Sequence, residues 1–303
     1  MESKFVFKHK PVLLGEIQEA MAWKEPIAFW DATVGLGGHS FALLSANPAP
    51  SLYVASDQDD AALKEAEKKL KSILKSETLS RFMNLNFSAF AANPLQSFDR
   101  ILVDLGVSSY QLDDARRGFS FQKEGPLDMR MNSANGEAVG TWLMHCDYET
   151  LKSVFRENEV SQAGLFTKRW MEGREKLKEK LPRDFASQPL TTKDFVEALG
   201  FRLDSKDRRG RHPLTLVFQA LRIFINRERE HLEILMKELP RLLNPGGLVA
   251  IITFHSQEDR LVKWSLKGRL EPINKKVIIA SEEEQAENPR SRSAKLRVYR
   301  RDA

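Results

Sequence analysis

Short apolar runs alternate with amphipathic stretches over the first hundred residues of this 303-residue chain. Ile27 to Trp30 is a continuous apolar run, the pattern of a buried strand. A turn rich in glycine follows, with Gly35, Gly37 and Gly38, and a helix carrying Phe41, Leu43 and Leu44 is expected from about His39–Ser40. Leu52 to Ala55 is a second apolar run, ending in Asp57. Ala61 to Leu74 has helical spacing, with Ala62, Ala66 and Leu70 on the apolar side. Lys64, Lys68, Lys69, Lys71 and Lys75 lie mainly on its other side, as on a solvated face. Arg81 to Phe87 predicts a third strand, and Arg100 to Ser109 a fourth that runs into a glycine turn. A helix is expected ahead of them all, from Gly15 to Trp23.

The rhythm stops between about Ala134 and Lys206. Thr141–Cys146, Tyr148–Glu157, Gln162–Lys180 and Thr192–Leu199 all have helical patterns, the last with a Thr191 cap and an acid in its first turn. His212 to Leu239 predicts one long amphipathic helix. Leu243 to Gly247 reads as a turn, Leu248 to Phe254 as another buried strand, and Lys276–Ala280 with Ala294–Tyr299 as a terminal hairpin around an acidic loop. The expectation is an α/β fold: a mostly parallel, Rossmann-like sheet built from 1–133 and 207–303, with 134–206 inserted as a helical subdomain for substrate recognition.

Composition narrows this only a little. A net charge of +5 favours polyanionic partners without requiring one. Cys146 stands alone, so neither a disulfide nor a thiolate metal cluster is expected, and no metal is assigned. No apolar run reaches the ~18 residues of a membrane span, and the N-terminus lacks a secretory pattern, so a cytoplasmic protein fits most simply.

Strand, glycine loop, helix, strand and terminal acid together suit a nucleoside ligand, with Asp57 set to bond two ribose hydroxyls. From Gly35 the loop reads G-L-G-G-H-S, so Ser40 takes the third glycine position of the dinucleotide fingerprint. Asp31 leads into the loop. A carboxylate there would repel a pyrophosphate but suits an ammonium and a sulfonium, which favours S-adenosylmethionine over a dinucleotide and its hydride chemistry. Phe87 is either an adenine-stacking residue or an ordinary core residue. Asp104 falls at a strand end, where a carboxylate meets cofactor or substrate, and Tyr110 to Arg130 has the mixed character of an active-site cover. His255 and Ser256 lie on the same edge without the third partner of a nucleophilic triad, so His255 either positions substrate or makes a structural hydrogen bond. Two basic stretches are candidates for RNA phosphates: Arg208, Arg209 and Arg211, and the closing N-P-R-S-R with Arg290 and Arg292.

Longer motifs are more specific: H-K-P-V-L-L (9–14), D-A-T-V-G-L-G-G-H-S (31–40), D-L-G-V-S-S-Y-Q-L-D-D (104–114), R-G-F-S-F (117–121), G-P-L-D-M-R-M (125–131), F-Q-A-L-R-I (218–223), F-H-S-Q-E-D-R (254–260) and N-P-R-S-R-S-A-K-L-R (288–297). By these the chain resembles the bacterial small-subunit (16S) ribosomal RNA (cytosine-N4)-methyltransferases. The resemblance implies a class I methyltransferase fold, S-adenosylmethionine as cofactor, and as substrate the exocyclic amine of a cytosine in the decoding region, within an assembled or late-assembling small subunit. It implies cofactor contacts at Gly37, Gly38, His39, Asp57, Phe87, Asp104 and Gln111. Asp104 or the Ser108/Ser109 turn would accept from the cytosine amine, which needs no covalent intermediate. Three positions depart from the family pattern: Asn132 where Asp is usual, Leu216 where Arg is usual, and Val160 closing E-N-E-V in place of Y-G-E-E. They motivate a contrasting expectation, a ribosome-assembly factor that binds cofactor and RNA with little or no transfer.

Overall fold

The computed structural model describes residues 10–94, 96–180, 189–206 and 212–302. It forms two compact units, Met1–Gly106 with Arg229–Ala303, and Val107–Glu228.

The first unit opens with α1 (Leu14–Met21), β1 (Ala28–Asp31), α2 (Gly38–Ala46), β2 (Leu52–Asp57), α3 (Asp60–Lys71), β3 (Leu79–Asn84), α4 (Phe87–Ala92) and β4 (Phe98–Asp104). The second unit holds α5 (Ser109–Asp113), α6 (Val139–His145), α7 (Tyr148–Glu157), α8 (Ala163–Lys180), α9 (Thr192–Ala198) and α10 (Thr215–Ile225). The chain returns with α11 (Glu228–Leu242), β5 (Leu243–Thr253), α12 (Ser256–Leu266), β6 (Glu271–Pro272), β7 (Ile278–Ile279), α13 (Glu282–Glu287) and β8 (Lys295–Arg300).

The strands form one sheet in the order β3-β2-β1-β4-β5-β8-β6, with β7 also on β8. The first five are parallel and β8 runs antiparallel against β5. Successive side chains of a strand point to opposite faces, and both faces here are covered. Trp30, Val54 and Ile101 pack with Leu235 and Leu239 of α11, while Phe29, Tyr53 and Leu102 pack with Ile17, Leu43 and Leu70 from α1, α2 and α3. Burial on both sides is why the strands read as continuous apolar runs.

The second unit has its own core around Leu143, Phe155, Trp170 and Phe195, all fully buried. Gly173 of α8 lies so close to α9 that a Cβ there would sit 2.5 Å from the Ala198 carbonyl oxygen. The Trp170 indole donates to the Leu143 carbonyl at 3.1 Å, and the Arg174 guanidinium to Leu143 and Cys146 carbonyls at 3.2 and 2.7 Å. The Cys146 thiol is buried, which pushes its pKa up to about 11. The helical stretch expected over 134–206 falls inside this unit, whose core also takes in Phe119, Leu127 and Met129 before it and Leu214, Val217 and Leu221 after it.

Local expectations shift in four places. The single helix expected over His212–Leu239 is two helices, α10 and α11. Asn226 breaks it by donating to the Met129 carbonyl and accepting from the Met131 N–H, both at 2.7 Å, and Arg227 takes a left-handed φ of 48°. The third strand ends at Asn84, because Asn86 caps α4 by accepting from the Ser88 N–H, so Phe87 begins a helix. The turn expected at Leu243–Gly247 is an irregular start to β5, with a register shift opposite Phe98 and Arg100 and Gly246 at φ +74°. The acidic loop is α13, capped by Ser281 and carrying three glutamates in its favourable first turn. No helix among the described residues is long and apolar enough to cross a membrane.

Candidate functional site

Parallel strands bring their carboxyl ends to one edge. In the first unit that edge carries Asp31 from β1, Asp57 from β2 and Asp104 from β4, with His255 just past β5. The glycine loop is drawn across it. The Val34 N–H donates to the Ser56 carbonyl at 3.0 Å, and the Gly35 N–H donates to the Asp57 carboxylate at 2.8 Å. The other Asp57 oxygen accepts from the Asp59 N–H at 2.8 Å. Each carboxylate oxygen can accept more than one bond, so Asp57 keeps capacity for hydroxyl donors.

The loop glycines serve different ends. Gly35 has φ +51° and no atom within 4 Å of where a Cβ would stand. Gly37, at φ +74°, packs on Leu70, and a Cβ on Gly38 would fall 2.6 Å from Pro11. Glycine at 37 and 38 therefore admits the loop's own neighbours, which fixes its path whether or not a ligand lies beside it.

Electrostatically the edge is costly. The Ser40 hydroxyl donates to Asp31 at 2.5 Å and in turn accepts from the Tyr53 hydroxyl at 2.8 Å. Burial still raises the Asp31 pKa to about 6, despite that bond. Burial raises Asp57 to about 6 as well. Asp104 is held by its backbone, whose N–H donates to the Thr33 hydroxyl at 2.6 Å. Its side chain is 28% exposed, yet its Oδ1 is buried with no hydrogen-bond partner among the described residues. Burial and then the nearby Glu258 carboxylate push Asp104 up to about 7. His39 Nε2 donates to the Val12 carbonyl at 2.8 Å, and its Nδ1 lies 3.7 Å from Asp104. Burial lowers the His39 pKa, favouring a neutral ring with a bare Nδ1.

The other expected site residues are placed as follows. Phe87 is half-buried against the core on the Trp30 face of the sheet. His255 caps α12: its Nδ1 accepts from the Glu258 N–H at 3.4 Å, and its Nε2 lies 3.0 Å from the Glu258 carboxylate. Ser108 and Gln111 belong to the second unit and form the capping box of α5, Ser108 accepting from the Gln111 N–H and Gln111 from the Ser108 N–H. Arg290 and Arg292 are exposed on the 3₁₀ turn before β8. Arg208, Arg209 and Arg211 lie outside the described residues. Of the departures, Val160 is a core residue of the second unit, Leu216 is 45% exposed, and Asn132 closes a turn by accepting from the Ala134 N–H.

Glu258 was missed. It is buried and accepts from the backbone N–H groups of Phe254 and His255, pinning the turn after β5. Its signal was present as H-S-Q-E, the three-residue offset of a capping box. Thr33, which orients Asp104, left no comparable signal.

A cofactor with a ribose, an ammonium and a sulfonium fits these groups: two hydroxyls for Asp57, and positive charge for an edge where Asp31, Asp57 and Asp104 have no lysine or arginine partner among the described residues. The sheet order, the antiparallel β8 beside β5 and this acidic loop edge define a class I S-adenosylmethionine-dependent methyltransferase. The chain matches the MraW methylase family over residues 6–302, and it belongs to that family. It is 42% identical over 302 residues to the ribosomal RNA small subunit methyltransferase H of Trichormus variabilis, covering 98% of this chain and 93% of that one. It is 37% identical over 309 residues to the enzyme of the same name from Bdellovibrio bacteriovorus, covering 99% and 90%. Among solved structures, the N-methyltransferase NodS of Bradyrhizobium japonicum with S-adenosyl-L-homocysteine aligns over 100% of this chain and 94% of its own, at 8% identity and a TM-score of 0.44.

Proposed function

We propose that this enzyme methylates the exocyclic N4 amine of a cytosine in small-subunit ribosomal RNA, in the cytoplasm, on an assembled or late-assembling subunit. The relatives' shared name supports the RNA, and the motif resemblance supports the cytosine amine. The observation that carries a chemical role is Asp104, with a buried acceptor oxygen lacking a partner among the described residues, at the carboxyl end of β4.

Bound S-adenosylmethionine supplies an activated methyl group, so the residues have mostly to align and to stabilise charge. Asp57 takes the ribose hydroxyls, and the 35–38 loop runs beside the cofactor. Phe87 lies by the adenine, and His39 completes the cofactor contacts of the first unit. The cytosine amine is a weak nucleophile because its lone pair is delocalised into the ring. Asp104, ionised, accepts from the amine N–H and returns electron density to nitrogen. As the new N–C bond forms, the methyl–sulfur bond would break with its electron pair left on a neutral thioether, and the amine would give up one proton, which Asp104 takes. Thr33 and Glu258 act through Asp104, one by fixing its backbone and the other by its charge. A base in single-stranded RNA reaches such a site without breaking a duplex.

The test is methyl transfer from labelled S-adenosylmethionine to small subunits from a strain lacking this protein, with the product nucleoside identified by mass spectrometry. N4-methylcytidine that is lost in Asp104→Ala supports the reading. Cofactor binding with no transfer to subunits or to free RNA overturns it.

A further inference from the structure

The lysines of α3 and those of α12 are arranged for different work. On α3, Lys64 pairs with Asp60 and Lys71 with Glu67, each at 2.6 Å and one turn apart. On α12 and its cap, Arg260, Lys263, Trp264 and Lys267 recur at intervals of three and four, which lines them along one side of a helix. All four are exposed. Neither Lys263 nor Lys267 has an acidic partner among the described residues. The two acids of the helix are engaged elsewhere. Glu258 is buried beneath the Phe254–His255 turn, and Asp259 is held by Arg297 at 2.7 Å and Lys295 at 3.7 Å.

Trp264 is 61% exposed and belongs to none of the three apolar clusters, so its indole contributes little to the fold. The Lys267 ammonium stands 5.1 Å from the centre of its ring. An exposed indole with one lysine ammonium over its ring and a second lysine on the same side of the helix is the chemistry that single-stranded nucleic acid selects: phosphates on the ammonium groups, a base on the indole. The helix also starts in the right place. It begins just past β5, on the sheet edge that carries Asp104, and at 1.5 Å per residue Trp264 lies about 12 Å along it from Ser256.

We infer that this face of α12 binds single-stranded RNA flanking the methylated nucleotide, with a base stacked on Trp264 and phosphates on Lys263 and Lys267. This rests on the RNA reading above and adds to it a surface outside the cofactor edge.

The test is fluorescence anisotropy of a fluorescein-labelled single-stranded RNA oligonucleotide across a salt series. Trp264→Ala weakens binding about tenfold, and Trp264→Phe restores most of it because stacking needs only a flat face. Lys263→Glu with Lys267→Glu weakens it further and lowers the slope of log affinity against log salt by roughly 1.4. Adenosylmethionine affinity by calorimetry stays at the wild-type value in all three, showing that the fold is intact. Wild-type RNA affinity and salt slope in the variants would overturn the inference. So would unchanged RNA binding together with loss of a dimer in sedimentation velocity, which would give the face to a second copy of this chain. If the wild-type protein neither binds RNA nor methylates small subunits, the RNA reading itself has failed, an outcome distinct from failure of this surface alone.

Discussion

The carboxyl edge of the sheet and the core of the helical unit handle buried polar groups in opposite ways. In the helical unit, Thr167 donates to the Ala163 carbonyl, Thr192 to the Lys123 carbonyl and His212 to the Arg202 carbonyl, so these three neutral groups have backbone partners. At the sheet edge, Asp31, Asp57 and Asp104 are carboxyls pushed well above their ordinary range, and one Asp104 oxygen has no partner among the described residues. The first arrangement stabilises a fold. The second costs stability and concentrates charge where a ligand can relieve it, as functional sites often do.

Substitutions can sharpen that contrast. Asp104→Ala should cut methyl transfer by about 10²- to 10⁴-fold, the usual range for a positioned proton acceptor, measured with labelled cofactor on small subunits. Trp170→Ala should cost about 3–5 kcal/mol in urea denaturation, because the buried indole fills the helical core. A comparable stability loss in Asp104→Ala would break the contrast by making the edge structural. Asp57→Ala should weaken cofactor binding in calorimetry by about 10- to 100-fold, the loss of hydrogen bonds to a charged acceptor.

The smallest effect is in pH. In the unfolded chain these carboxyls titrate near 3.8, whereas in the folded protein they keep their protons to about 6, 6 and 7. The folded state therefore binds the extra protons, and its stability falls as pH rises from about 4 to about 7. Urea midpoints of the ligand-free protein should be higher at pH 5 than at pH 8, and Asp104→Asn should flatten the upper part of that slope. Transfer should run the other way, rising through about pH 7 as the Asp104 carboxylate forms.

Much of this architecture was legible because each parallel strand is an apolar run ending in a distinctive residue. Asp31, Asp57 and Asp104 could be set on one edge from the order of strands and helices alone. The break at Asn226 could not, since it depends on carbonyl and amide groups about 95 residues earlier, and a periodic pattern carries no trace of a distant partner. Ser40 is instructive. As a departure from the dinucleotide fingerprint it spoke against one cofactor, while in the fold its hydroxyl holds Asp31. His255 kept two readings in the sequence, and its ring proves to cap α12 with Glu258. The helical unit's internal packing was least legible, because apolar spacing says which face is buried but not what it faces.

Cys146 has a practical consequence. Its thiol is the chain's single sulfhydryl, buried in the helical core and pushed far from the thiolate form. Thiolate-seeking reagents should pass it by in the native protein. A cysteine introduced on the surface, at Trp264 for instance, could then carry a dye or spin label in the otherwise unaltered chain, giving an optical or magnetic reporter with a silent background.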